Sequence, residues 1–219
     1  MSTNRMLGGD GPQREREMLV EAVKCALRNM EKEFVDLSRL KVKEVENDQN
    51  AGSEEATKKL LERPYSYEFY HQMRSIWRKR KFINLFKDVV IQGEVDKRYQ
   101  AISGLHKIPD FLLHRPGDNN SNFAVIEVKL ATTSGLENIE DDFNKLVKFC
   151  NILHYKYFIE IILGNSGDLN SDGLKEKVRS WNSNRAGRNS VEIVVVLFNT
   201  DANSWQADEF LINWPMDAT

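Results

Sequence analysis

The sequence predicts an α/β domain, a mixed central sheet with helices on both faces, preceded by a long N-terminal helix. Three observations predict it. Apolar runs of strand type recur in residues 83–95, 107–115, 122–131, 156–164 and 191–199. The first three follow one another without an intervening helical pattern, as in a meander. The last three are separated by helical stretches, as crossovers between parallel strands require.

The elements follow in chain order. Residues 1–12 carry Gly8, Gly9, Gly11 and Pro12 and are expected to be disordered. Residues 13–46 read as one helix, with Val20, Val23, Leu27, Met30, Phe34 and Leu37 at spacings of three and four until Lys41 and Glu44 end the seam. That stripe suits packing on the main domain. The alternative is a short homodimeric coiled coil or a partner protein. "NDQNAGSEEAT" (47–57) closes this region as a polar linker, and the main domain occupies 58–219. A helix is expected over 65–81, with Pro64 near its start. Strands follow within 83–95 and 107–115, and "RPGDNNSN" (115–122) is a turn leading to the strand "FAVIEVKLA". Residues 136–153 form an amphipathic helix with Ile139, Phe143, Leu146, Val147 and Cys150 on one face. A buried strand at 156–164, a helix around 172–182, a strand at 191–199 and an edge at 209–214 complete the order.

Composition narrows the function. The chain has 219 residues, 41% of them hydrophobic and 29% charged, with a net charge of −2. Any basic footprint must therefore be local. No window approaches the roughly 18 apolar residues of a membrane span, and the N-terminus lacks a signal-peptide core. Cys25 and Cys150 stand alone, which argues against a zinc site or a disulfide scaffold and suits a reducing cytoplasm. There is no G-x-S-x-G elbow, P-loop or H-E-x-x-H.

The strand at 122–131 holds the chemistry. Period-two alternation puts Phe123, Val125, Glu127 and Lys129 on one face and Ala124, Ile126, Val128 and Leu130 on the other. An unpartnered buried charge is costly, so an acid and a base inside an apolar run need a reason. Mutual pairing or a solvated strand end would account for the pair alone. Asp110 adds a second carboxylate, because an antiparallel hairpin brings "PDFLLH" beside the Glu127–Lys129 end. Two carboxylates and the Val128 carbonyl suit a hard cation such as Mg²⁺ or Mn²⁺, with open positions for water and phosphate. Lys129, with an ordinary pKa of about 10.4, is better suited to orienting the nucleophile and offsetting charge than to acting as a base.

"IPDFLLH", followed seventeen residues after Asp110 by "EVK", resembles the PD-(D/E)xK nuclease superfamily, which has the restriction-endonuclease-like αβββαβ fold. The resemblance spans about residues 65–164 and leaves the N-terminal helix outside it. It implies that Asp110 and Glu127 hold the metal and that Lys129 is the signature lysine. It further implies a glutamate from the first core helix, where Glu68 fits, or an acid on the first strand, where Glu94 fits. His71, three residues after Glu68, is an outside candidate for the metal site.

Residues 74–107 carry Arg74, Arg78, Lys79, Arg80, Lys81, Lys87, Lys97, Arg98 and Lys107 against Asp88, Glu94 and Asp96. Part of this complements a helix C-terminus. The rest suits phosphate contact through Arg78, Lys79 and Arg80, with Lys145 lining the same cleft. The expectation is a Mg²⁺- or Mn²⁺-dependent nuclease acting on DNA in preference to RNA, in restriction, phage defence or repair. The alternative is a catalytically silent nucleic-acid-binding or scaffold protein on the same fold.

Overall fold

The structure, a computed structural model, describes residues 11–31, 54–93, 109–117, 122–131, 135–170, 173–184, 189–201 and 206–216. Six strands form one sheet in chain order: β1 Val90–Gly93, β2 Phe111–His114, β3 Asn122–Leu130, β4 Tyr157–Gly164, β5 Ser190–Asn199 and β6 Ala207–Pro215. The first three make the expected antiparallel meander. β3, β4 and β5 are parallel, and β6 returns antiparallel as an edge. Helices α1 (Gly11–Asn29) and α2 (Glu54–Trp77) cover one face. Helices α3 (Gly135–Leu153), α4 (Ser166–Asn170) and α5 (Leu174–Asn184) cover the other. No helix among the described residues is long and apolar enough to cross a membrane.

The apolar stripe of α1 is spent inside the chain. Leu19, Val20, Ala22, Val23, Ala26, Leu27 and Met30 are buried in the same core as β3 and β4. Lys24 pairs with Glu209 at 2.9 Å, Arg16 pairs with Glu192, and the Tyr157 hydroxyl donates to the Glu15 carboxylate at 2.6 Å. Of the expectations for this stripe, packing on the domain is the one observed; Phe34 and Leu37 lie outside the described residues. The helix begins at Gly11, with Pro12 in its first turn, and ends at Asn29 rather than running on towards residue 46.

Helix α2 begins earlier than Pro64 suggests. It runs from Glu54, taking in the end of the expected linker, and Pro64 stands inside it. A proline there removes one i→i−4 hydrogen bond and is tolerated when packing holds the flanks. Tyr65, Phe69, Met73 and Ile76 supply that packing.

The link from β2 to β3 holds a bulge. Leu113 pairs with Ala124 and His114 with Asn122, so Phe123 is the extra residue. Its ring turns to the α1/α2 side, against Phe86 and Tyr157, and leaves the face that strict alternation assigns it. Beyond the bulge the alternation holds. Ala124, Ile126, Val128 and Leu130 face α1 and α2, while Val125 faces α3.

α3 is fixed at several points. Phe143 meets Trp181 and Trp214 edge-on at 5.3 and 4.9 Å between ring centroids, joining α3 to α5 and β6. The Trp214 indole N–H donates to Asn144 at 2.9 Å. Buried Asn122 donates to the Leu153 carbonyl at 2.6 Å, satisfying one of the last carbonyls of the helix.

At the far end of β4, Gly164 lies against the end of β3. A Cβ there would stand 2.8 Å from Ala131 Cβ and 3.1 Å from Asp168 Cβ. Gly164→Ala is therefore expected to cost about 1–3 kcal/mol in chemical denaturation, as overpacking does. Gly93→Ala, whose Cβ meets nothing closer than 3.5 Å, should change stability by less than about 0.5 kcal/mol. Equal effects at the two positions would contradict this account of the β3–β4 junction.

Candidate functional site: a buried carboxylate–lysine cluster

The cluster grows out of two strands. β3 and β4 pair in parallel with Glu127 opposite Glu160. Each glutamate interrupts an apolar row on the α3 side, between Val125 and Lys129 on one strand and between Phe158 and Ile162 on the other. Register partners in neighbouring strands present their side chains to the same face. Both residues are sealed, with Glu127 1% and Glu160 0% exposed. Asp110, just before β2, aims its carboxylate at the same place and accepts the Val128 backbone N–H at 2.7 Å. The hairpin thus joins Asp110 to the Glu127–Lys129 segment as the sequence suggests.

Helix α3 closes the site from above. Lys145 Nζ lies 2.7 Å from Glu127 Oε2 and 3.0 Å from Asp142 Oδ1. Lys129 Nζ lies 3.2 Å from Asp142 Oδ2. A chain of alternating charge therefore runs Glu127–Lys145–Asp142–Lys129. Asp142 and Lys145 are three residues apart, so one helical face delivers both.

Four carboxyl groups meet two ammonium groups, so the fully ionised cluster carries a surplus of two negative charges. Glu127 Oε1 and both Glu160 oxygens are buried with no hydrogen-bond partner among the described residues. Two ionised carboxylates at the inter-strand spacing of about 4.8 Å repel by about 3 kcal/mol at an effective dielectric constant near 20. The pKa values follow. Burial raises Glu127 well above the ordinary range, Asp110 adds to the rise, and Lys145 opposes it. Burial raises Glu160 well above its ordinary range, with Asp142 and Glu127 adding to it. Asp110 is also raised by burial, against the pull of the Val128 N–H and both lysines. For Lys145, burial alone would lower the pKa, but Glu127 and Asp142 outweigh it and raise it.

These surroundings settle where several expected residues lie. Lys145, expected on a phosphate-binding surface, has a side chain only 11% exposed, and its ammonium is engaged by Glu127 and Asp142. Glu68 is buried on the opposite side of the sheet, where its Oε1 accepts from the Gln72 side chain at 2.6 Å and the Glu31 backbone at 3.3 Å. It is not part of the cluster, because α2 covers the face from which Glu127 and Lys129 point away. The Val128 group in contact with Asp110 is its N–H, not the carbonyl expected to bind a metal. His71 is exposed on α2. Glu94 lies outside the described residues. Arg78, Lys79 and Arg80 are exposed just beyond the end of α2.

Asp142 and Glu160 are the site residues that sequence reasoning missed. Glu160 had the same signal as Glu127, an acid inside an apolar strand run. Asp142 sits directly before Phe143, beside the buried stripe of its helix.

Among the described residues, no three His, Cys, Asp or Glu side chains are grouped as a ready metal cage. The donor set still fits a hard cation held by two carboxylates, since Mg²⁺ commonly takes only one or two and keeps several waters. Glu127 Oε1, buried without a hydrogen-bond partner among the described residues, is the oxygen that a cation would take, and the cluster's surplus of two negative charges equals a divalent charge. No family model matches the chain, and neither curated proteins nor solved structures give a significant match.

Two outcomes follow. Groups whose folded pKa is raised stabilise the fold below the unfolded value, near pH 4.3 for Glu, and lose that contribution as pH rises through the folded value. The stability of the wild type relative to Glu160→Gln should therefore fall as pH rises from about 4.3, the amide of the variant remaining neutral throughout. A constant difference across pH, measured by denaturation, would mean that Glu160 is not held protonated. Lys145→Ala strands a buried acid and should cost about 3–5 kcal/mol. Lys129→Ala, at a partly exposed pair, should cost less; the reverse order would show that Lys145 is not the principal counter-charge.

Proposed function

We propose that the chain is a Mg²⁺- or Mn²⁺-dependent nuclease of PD-(D/E)xK type, hydrolysing phosphodiester bonds of DNA in preference to RNA. The observation that supports it best is the convergence of Asp110, just before β2, with Glu127 and Lys129 of β3 on one face of the sheet. The succession of helix, three-strand meander, crossover helix and parallel strand is also the order of that superfamily's core.

On this reading Asp110 and Glu127 hold the cation. When bound, it polarises the scissile phosphate and lowers the pKa of a coordinated water. The protein's own groups do the rest. Lys129 sets its ammonium where charge develops on phosphate, and Asp142 fixes the direction of that lysine. Lys145 holds one oxygen of Glu127, leaving the other for the cation. A catalytically silent binding protein on the same fold is the competing reading. The observation in its favour is that Glu127 already has an internal cation partner in Lys145.

Wild type and Lys129→Ala should be incubated with plasmid, linear duplex, single-stranded DNA and RNA, in Mg²⁺, Mn²⁺ or EDTA. The expected outcome is metal-dependent cleavage that falls by about 100-fold or more in the variant, as for loss of a group stabilising transition-state charge. Absence of cleavage on every substrate, or equal rates in the two proteins, would reject the proposal.

A further inference from the structure

One side of the molecule carries a feature that the carboxylate cluster does not use. Helix α2 runs beside the edge strand β1, and two hollows lie end to end between them. The first, of about 270 Å³, has Tyr67 and Tyr70 on the helix side, Gly93 and Phe111 on the sheet side, and Asp110 in its wall. The second, of about 260 Å³, lies between Arg74, Trp77 and Arg78 of the helix side and residues Val89–Ile91 of the strand side. Their helix-side residues run from 67 to 78 and their strand-side residues from 93 to 89, so the two hollows follow one another along α2 and β1 as a trench in two parts.

The trench lining is unusual for a free surface. Tyr67 is 63% exposed, the highest value among the exposed large hydrophobic side chains. Tyr70 stacks on Phe111 with an interplanar angle of 11°, and Arg74 stands 5.8 Å above the Tyr70 ring while donating to its hydroxyl at 3.2 Å. Trp77 is anchored, stacked 3.7 Å from Phe86 and bonded to the Val89 carbonyl at 3.0 Å. Two rings, Tyr67 and Tyr70, are followed by Arg74, Trp77 and Arg78, so rings and guanidinium groups share this side of α2 and the turn after it. Among the described residues, Asp110 is the sole acid in the lining of either hollow, and exposed Lys79 and Arg80 continue the positive charge beyond Arg78.

We propose that this trench binds single-stranded DNA, with unpaired bases stacked at Tyr67 and phosphates at Arg74 and Arg78, and leads the strand to Asp110. An exposed aromatic face close to cations suits an unstacked, negatively charged strand. A duplex offers its phosphates to the cations but keeps its bases away from Tyr67. A peptide of matching charge would have no need of the exposed Tyr67 ring beside these cations. The first hollow is lined mainly by apolar groups, which favours deoxyribose over a sugar bearing a 2′-hydroxyl. The proposal rests on the nuclease reading only for which end of the trench meets the chemistry.

The test is fluorescence anisotropy of the full chain with a labelled single-stranded DNA, the duplex of equal length and the RNA of the same sequence. EDTA throughout separates binding from cleavage. The wild type is expected to prefer the single strand. Tyr67→Ala should weaken that binding about tenfold or more while leaving duplex binding unchanged, and Tyr67→Trp should restore it. Arg78→Ala should flatten the salt dependence. Because Tyr67 is exposed, an unchanged melting temperature is the control for folding. The proposal fails if Tyr67→Ala binds the single strand as the wild type does, or if the duplex or the RNA binds at least as tightly. A chain that binds this way and never cuts would sink the nuclease reading alone; one that cuts duplex DNA without regard to Tyr67 would sink this proposal alone.

Discussion

The constraint on which the rest depends is charge balance at the centre of the sheet. Glu127 and Glu160 lie side by side on adjacent parallel strands with almost no access to water. Neither can ionise freely beside the other, and Asp110 and Asp142 add to the difficulty. Lys145 offsets part of the charge and Lys129 offsets more. What remains is met by protons, at a cost that rises with pH, or by a divalent cation. A fold with only stability to satisfy would place apolar side chains at these positions, as it does at Val125, Phe158 and Ile162. That difference is what supports the catalytic reading proposed above.

The architecture makes such a cluster possible. A parallel β3–β4 pair needs a crossover, and the crossover helix α3 must lie over the strands it joins. That places Asp142 and Lys145 above Glu127, while the aromatic contacts of Phe143 with Trp181 and Trp214 hold the helix in place. The opposite face is filled by α1 and α2, whose burial involves none of the cluster's charges. Asp110, just before a strand near the sheet edge, belongs to the cluster and also lines the hollow beside β1.

The sequence was informative where local rules decide the outcome. Period-two alternation and a turn-rich link sufficed to bring Asp110 to Glu127, and the 136–153 amphipathic pattern marked α3 to within a residue. It was less informative where the outcome depends on which sheet face a helix covers. Glu68 was assigned to the site on its element alone, yet its helix packs on the far face. The sequence puts Lys145 on a phosphate-binding cleft because nothing in the local pattern shows the acids beneath it. Glu160 carried a visible signal, an acid in "YFIEIILG", but no motif drew attention to it. The passage of α2 through Pro64 likewise depends on packing rather than on local preference.

The most direct test of the central claim is the binding of Mn²⁺ itself, followed through the melting temperature of the wild type and of Asp110→Asn. A ligand held only by the folded state stabilises it in proportion to the logarithm of its concentration. The account predicts saturable stabilisation by Mn²⁺ in the wild type that Asp110→Asn largely abolishes. No stabilisation in the wild type, or the same stabilisation in both proteins, would contradict it and leave the buried carboxyls as a purely structural, proton-balanced cluster.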